Sequence, residues 1–202
     1  MVVVYFGIFT ALAGSVQAEE LHTVAAVREL TVEQTQQKIP VHLSGVVTFF
    51  DGFLFSRFMQ DQTAGIYLEF PTNIVPPKLV PGQVITVNGI ASPGEYAPVV
   101  LVSQIEATGT APLPSPKLET YSQLASGTED SQFVEITGIV RSVRTVEGSG
   151  YFLIKIATGG GRLLAYASTL PVEKPEELLD SIVRVRGVCS TQFNHQRQLF
   201  AI

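Results

Sequence analysis

The stretch VHLSGVV at residues 41–47 returns as VEITGIV at 134–140. Both copies read V-x-[LI]-[ST]-G-[VI]-V. A second pair follows in the same order, ITVNGIAS at 85–92 and VRVRGVCS at 183–190. Gly45 and Gly138 are 93 residues apart, and Gly89 and Gly187 are 98 apart. Two anchors in one order at nearly equal offsets mark a duplicated unit. Each anchor alternates apolar and polar residues with the two-residue period of a half-buried strand. The lead-in repeats too: Thr31 and Gln34, then Thr120 and Gln123, have the spacing of a helix capping box, and Gly127 is placed to end the second short helix.

Each unit reads as five strands. The first gives 42–50, 54–60, 65–70, 84–92 and 99–106, and the second gives 133–143, 151–157, 162–167, 181–189 and 198–202. The long connection follows the third strand both times, and in the second unit it carries PVEKPEELLDS, a short helix with Pro175 in its first turn. Five strands with the excursion after the third is the order of the OB-fold, a small Greek-key barrel. Gly45 and Gly138 stand mid-strand, where the first strand of such a barrel must bend or bulge. The expected fold is all-β: two tandem five-stranded OB-fold-like barrels with short helical leaders. Prolines 112, 114 and 116 stiffen the stretch between them. The expected division is a signal peptide at 1–18, a leader at 19–29, a first barrel at 30–106, a linker at 107–117 and a second barrel at 118–202.

Composition bounds the function. The chain has 202 residues, a formal charge of −5 and a pI of about 5.2. General nucleic-acid binders present a basic surface, so no nucleic acid is expected as a partner. The apolar run at 2–14 is too short to span a bilayer, and Val16-Gln17-Ala18 fits a signal-peptidase site, so the chain is expected to be exported. Cys189 is the single cysteine, which excludes an intrachain disulfide. It reads as a small buried apolar residue.

No catalytic constellation emerges. His22, His42 and His195 have no metal-ligand spacing, so neither a metal nor another cofactor is expected. No Gly-x-Ser-x-Gly elbow is present. The triple glycine at 159–161 lacks the Lys-Ser/Thr of a phosphate loop and reads as a hairpin turn. Binding residues are sought where OB barrels bind, on strands two and three between the loops after strands one and four. Phe53 and Tyr96 in the first unit and Phe193, Asn194 and His195 in the second are the candidates, the aromatics reading either as stacking platforms or as plugs of the barrel ends. Arg184 and Arg186 share one outward face of a strand, which reads either as an ordinary solvated face or as a docking patch for an anion, a lipid headgroup or the first barrel. The hairpin FMQDQTAGIYLEF at 58–70 has a counterpart at 152–167. Its Asp61 and Gly65 therefore read as structural: Asp61 bonds turn amides and Gly65 gives the turn its freedom.

The runs PVHLSGVVTFFDGFLFSRFMQDQTAGIYLEF, LVPGQVITVNGIASPGEYAPVV, SQFVEITGIVRSV, IATGGGRLLAYA and VRVRGVCSTQFNHQRQLF resemble the N-terminal extracytoplasmic region of bacterial membrane-bound two-component sensor histidine kinases. The resemblance implies a periplasmic sensory or ligand-recognition module, not itself an enzyme. It also implies a small ligand or periplasmic protein as partner, and a membrane and kinase domain attached through a C-terminal part beyond Ile202. A homodimer is left open. The other readings are a stand-alone exported OB-fold binding protein for oligosaccharide, nucleic acid or a protein, and the accessory domains of an exported hydrolase.

Overall fold

In the computed structural model, residues 19–193 and 199–201 are described, with side chains described through residue 191. Two short helices open the chain, α1 (Val24–Arg28) and α2 (Val32–Thr35). The first unit then runs through β1 (Pro40–Asp51), β2 (Ser56–Gln60), β3 (Gly65–Glu69), β4 (Gln83–Ser92) and β5 (Val99–Thr110). These close into a barrel of order β1-β2-β3-β5-β4, with β3 and β5 parallel and the remaining pairs antiparallel. That is the OB order expected from the sequence.

The interior of this barrel is apolar. Leu43, Val47, Met59, Ile66, Leu68, Ile85, Val87 and Val100 are fully buried. Each such side chain contributes about 1.5–3 kcal/mol when removed from water. Val24 and Val27 of α1 are in the same core, and Leu21 bridges to Val41. The segment expected as a separate leader at 19–29 therefore belongs to the first barrel, because its two valines lie three apart on one helix face. Strand β5 runs four residues beyond its expected end, pairing with β4 as far as Thr110. The proline-rich stretch is shorter than the 107–117 expected.

After β6 (Lys117–Leu118) and α3 (Tyr121–Ala125), the second unit forms β7 (Phe133–Val146), β8 (Tyr151–Ala157), β9 (Arg162–Ala167) and β10 (Ile182–Val188), with a 3-10 turn over Pro175–Leu178. Their sheet order is β10-β7-β8-β9, and β6 pairs with β7. This repeats the first four strands of the first barrel. In place of the fifth strand expected at 198–202, the described residues form a small hairpin, β11 (Gln192–Phe193) with β12 (Leu199–Ala201). Among the described residues no strand bridges β9 and β10.

Both capping boxes form: Thr31 and Thr120 each accept from the amide three residues on, and Gln34 and Gln123 accept from the cap amides. Gly45 and Gly138 do not sit at a bulge; the bulge in β1 lies between Val47 and Phe49. A Cβ on Gly45 would come within 2.6 Å of the Gln60 carbonyl oxygen, and one on Gly138 within 2.5 Å of Ile156 Cγ2. Close packing of the first strand on the second excludes a side chain at both positions. No helix among the described residues is long and apolar enough to cross a membrane.

Candidate ligand-binding cleft

The two units meet at a joint that uses two residues of the hairpin 58–70, Gln60 and Gly65. Gln132, 4% exposed, holds Gly65 with both ends of its amide: Oε1 accepts from Gly65 N–H at 3.1 Å and Nε2–H donates to its carbonyl at 3.3 Å. Gln60 Oε1 accepts the Phe133 amide at 3.0 Å. Asp61 does what was expected of it, accepting the Thr63 and Ala64 amides at 2.7 and 2.9 Å. Its other oxygen accepts the Val24 amide at 2.8 Å and ties α1 to the hairpin. Gly65 corrects the expectation. Its φ is not in the left-handed region, and a Cβ there would overlap the Ser131 carbonyl. It is glycine because another stretch of backbone passes over it, not because the turn needs freedom.

Beside this joint the turn from β1 into β2 is held rigid. Asp51 Oδ1 accepts the Leu54 amide at 2.6 Å, and the Tyr67 hydroxyl donates to the Phe55 carbonyl at 2.8 Å. Phe55 has a φ of 50°. The turn therefore presents two aromatic rings outward, Phe53 at 52% and Phe55 at 71% exposed. Phe55 lies in the expected strand 54–60 and was missed as a candidate; the Asp51-Gly52 turn signal was the available clue. Below the rings, Phe58 packs edge-on to Tyr67 at 5.3 Å. The Tyr67 phenol is raised above its ordinary pKa, first by burial and then by Glu69 and Glu95, against the opposing pull of Arg57.

Tyr96, on the loop between β4 and β5, reaches toward Gly127 at the end of α3 and so spans both units. Tyr166 and Leu164 of β9 line the opposite wall of the cleft and are half exposed. They alternate with inward Leu163 and Ala165, so the strand period alone places them outward. The cleft holds about 1730 Å³ and opens into the interior of the second sheet, reaching Ile154, Leu163 and Cys189. That is larger than ordinary small-ligand sites of about 300–1,000 Å³, because the gap between barrels and the unclosed second barrel form one space.

A further bond joins the units apart from those of Gln132 and Gln60. The Tyr151 hydroxyl donates to Asp51 Oδ2 at 3.0 Å, and Tyr151 lies against Phe49. Burial, then the bond to Asp51 and its charge, push the Tyr151 phenol up to about 12. A raised phenol favours the protonated native state, so the contribution is present below about pH 10, the ordinary phenol value, and is lost as pH rises toward 12. The urea midpoint of the wild-type chain is expected to fall more between pH 10 and 12 than that of Tyr151→Phe. Parallel curves for the two would refute this role.

The remaining sequence candidates fare unevenly. Arg184 and Arg186 are not an open docking patch. Both pair with Glu135 on neighbouring β7, at 3.3 and 2.6 Å, since Arg186 stands directly opposite it in register. Cys189 is buried, and burial with the nearby carboxylates of Asp130, Glu129 and Glu119 pushes its thiol up to about 12. Asn194 and His195 lie outside the described residues, as does the side chain of Phe193. The 159–161 glycines form the turn between β8 and β9, with Thr158 N–H donating to the Gly161 carbonyl at 2.9 Å. Among the described residues no group of three or more His, Cys, Asp or Glu is placed to hold a metal.

No family model and no curated protein matches the chain. Solved structures do. The p204 HINb domain matches at 12% identity and a TM-score of 0.36, covering 74% of this chain and 85% of that one. The Ifi202 HINa domain in complex with a 20-bp double-stranded DNA matches at 10% and 0.34, covering 68% and 78%. Fission yeast Pot1 with single-stranded DNA matches at 14% and 0.33, covering 88% and 81%.

These findings correct two expectations. None of these three matches is a sensor-kinase region, and the sensor module, with its kinase and membrane partners, is withdrawn. The expected exclusion of nucleic acid is withdrawn as well, since two of the three matched structures contain DNA.

Proposed function

We propose that this chain is a non-catalytic OB-fold binding protein whose cleft takes a single-stranded oligonucleotide by stacking its bases. The observation that carries the proposal is the set of exposed rings, Phe53, Phe55 and Tyr166, around one cleft on the β2–β3 face of the first barrel. Base–aromatic stacking contributes about 1–3 kcal/mol per base and tolerates any sequence. The chain cannot bind by broad phosphate neutralisation. It carries a net charge of −5, and the two arginines of the cleft are engaged by Glu135. Bases face the rings and phosphates face solvent.

The proposal therefore predicts an unusual salt response. A labelled oligothymidylate of about 12 nucleotides, within the 4–16 covered by one OB fold, is titrated by anisotropy at rising salt. Log K against log salt is expected to fall with a slope of about −1.4 or shallower, equivalent to two phosphates at about −0.7 each. A steep slope or no saturable binding overturns it. One observation favours a second reading, a neutral oligosaccharide: Glu69 and Glu95 line the same cleft and would accept sugar hydroxyls. Binding of an uncharged oligosaccharide without binding of the oligonucleotide would move the assignment there. Export remains part of the proposal and rests on the apolar run at 2–14 and the Val16-Gln17-Ala18 site. It predicts a mature protein beginning at Glu19, read by N-terminal sequencing.

A further inference from the structure

We propose that Lys155 and Arg162 hold two successive phosphates of the oligonucleotide, on the outer face of the β8–β9 hairpin just outside the cleft. This rests on the oligonucleotide reading and names the two phosphate contacts that its salt slope allows. The observation is a difference between two copies of one hairpin. In the first copy Phe58 stands opposite Tyr67, and Gln60 opposite Gly65. In the second, Lys155 stands opposite Leu164, and Ala157 opposite Arg162. By register Lys155 takes the place of Phe58, and Arg162 the place of Gly65. The face of the first copy is closed: Phe58 is buried against Tyr67, and Gly65 lies under the Ser131 backbone. The face of the second is open, and both cations are exposed on it.

The strand period sets the direction of both side chains. Ile154, Ile156 and Leu163 are buried in the core of the second unit, so Lys155, Arg162, Leu164 and Tyr166 point the other way. Strand β8 is paired on both sides, to β7 and to β9, which holds that face in place. Across the hairpin Lys155 has Arg162 and Tyr166 as its two diagonal neighbours, at about 7–8 Å. The two cations are therefore continuous with Leu164 and Tyr166 of the cleft wall.

The charge on this face is uncompensated. Neither cation has a carboxylate partner among the described residues; the ion pairs of the second unit engage Lys117, Arg141, Arg184 and Arg186. Glu135, the one acid of β7, is held by the last two. Glu173, Glu176, Glu177 and Asp180 lie in the connection after β9. The partner this face fits is an anion with an apolar body beside it. Arg162 can grip a phosphate through two parallel N–H donors, and Lys155 acts as a point charge. Bases stacked within the cleft leave the backbone running along its β9 rim, where both cations stand.

The test uses the whole chain and the labelled oligothymidylate. Lys155→Gln and Arg162→Gln should each bring the salt slope from about −1.4 to about −0.7, and the double variant should bring it near zero. Between about 50 mM and about 1 M salt a slope of about −1.4 amounts to about sixtyfold. The double variant should therefore bind about sixtyfold more weakly at the lower salt and equally at the higher. Its urea midpoint should not move, because both side chains are exposed. An oligothymidylate with neutral methylphosphonate linkages should bind wild type and double variant alike. Lys38→Gln, which removes an exposed charge from the first unit, should leave the slope unchanged. A wild-type slope in the double variant, an equal loss of slope in Lys38→Gln, or weaker binding of the neutral oligomer by the double variant would each overturn the proposal and leave the stacking reading in place. Absence of saturable binding by the wild type would overturn both.

Discussion

Gly65→Ala is expected to uncouple the two barrels. The added methyl would overlap the Ser131 carbonyl oxygen and lie 2.8 Å from its carbon and 3.3 Å from Gln132 Cα. All three are backbone atoms, so no side chain can swing aside. The chain must open the joint, and both Gln132 bonds to Gly65 go with it. Overpacking of this kind costs about 1–3 kcal/mol, and each lost bond adds about 0.5–1.5 kcal/mol. The barrel interior is not touched, since Met59, Ile66 and Leu68 point the other way from the joint. Denaturant unfolding should therefore change from one transition to two, with the first barrel's own transition little moved. The Tyr151 to Asp51 bond across the rim should weaken in parallel. A single transition at the wild-type midpoint would show that the joint does not hold the barrels together.

The double variant Phe53→Ala/Phe55→Ala should abolish most oligonucleotide binding. Each ring is more than half exposed, so removing it costs the fold little, and the turn keeps its Asp51 and Tyr67 bonds because both run to backbone. At about 1–3 kcal/mol per stacked base, two rings correspond to a loss of about thirtyfold or more. The salt slope should stay unchanged, since no phosphate contact is removed. Weaker binding with a flattened slope would mean that the rings act through charge placement instead of stacking. Retained binding would remove the aromatic cleft from the function altogether.

How much of this could be read from the chain itself follows from the range of the interactions involved. The duplicated anchors, the alternation along each strand and the two threonine-glutamine boxes are local patterns. They set the all-β class, the strand order of the first barrel, the first four strands of the second unit and the caps, and the structure agrees with them. Asp61 was legible for the same reason: its turn partners are two and three residues away. Phe53 and Tyr96 were legible as aromatics in polar loops.

What the sequence could not decide is what lies across a fold. Arg184 and Arg186 look like a free cationic face until antiparallel register sets Glu135 opposite them. Gly65 looks like a turn glycine until Ser131, far along the chain, passes over it. Phe55 changes from a strand residue to an exposed ring only when Tyr67 pins its carbonyl. Val183 and Val185 carry the same pattern as Ile85 and Val87, yet among the described residues a covering strand lies over the second pair and not over the first, and their burial differs accordingly. Strand period and caps are properties of neighbours in sequence. Burial, ion pairing and close approach depend on which distant segment arrives, and only the tertiary structure decides that.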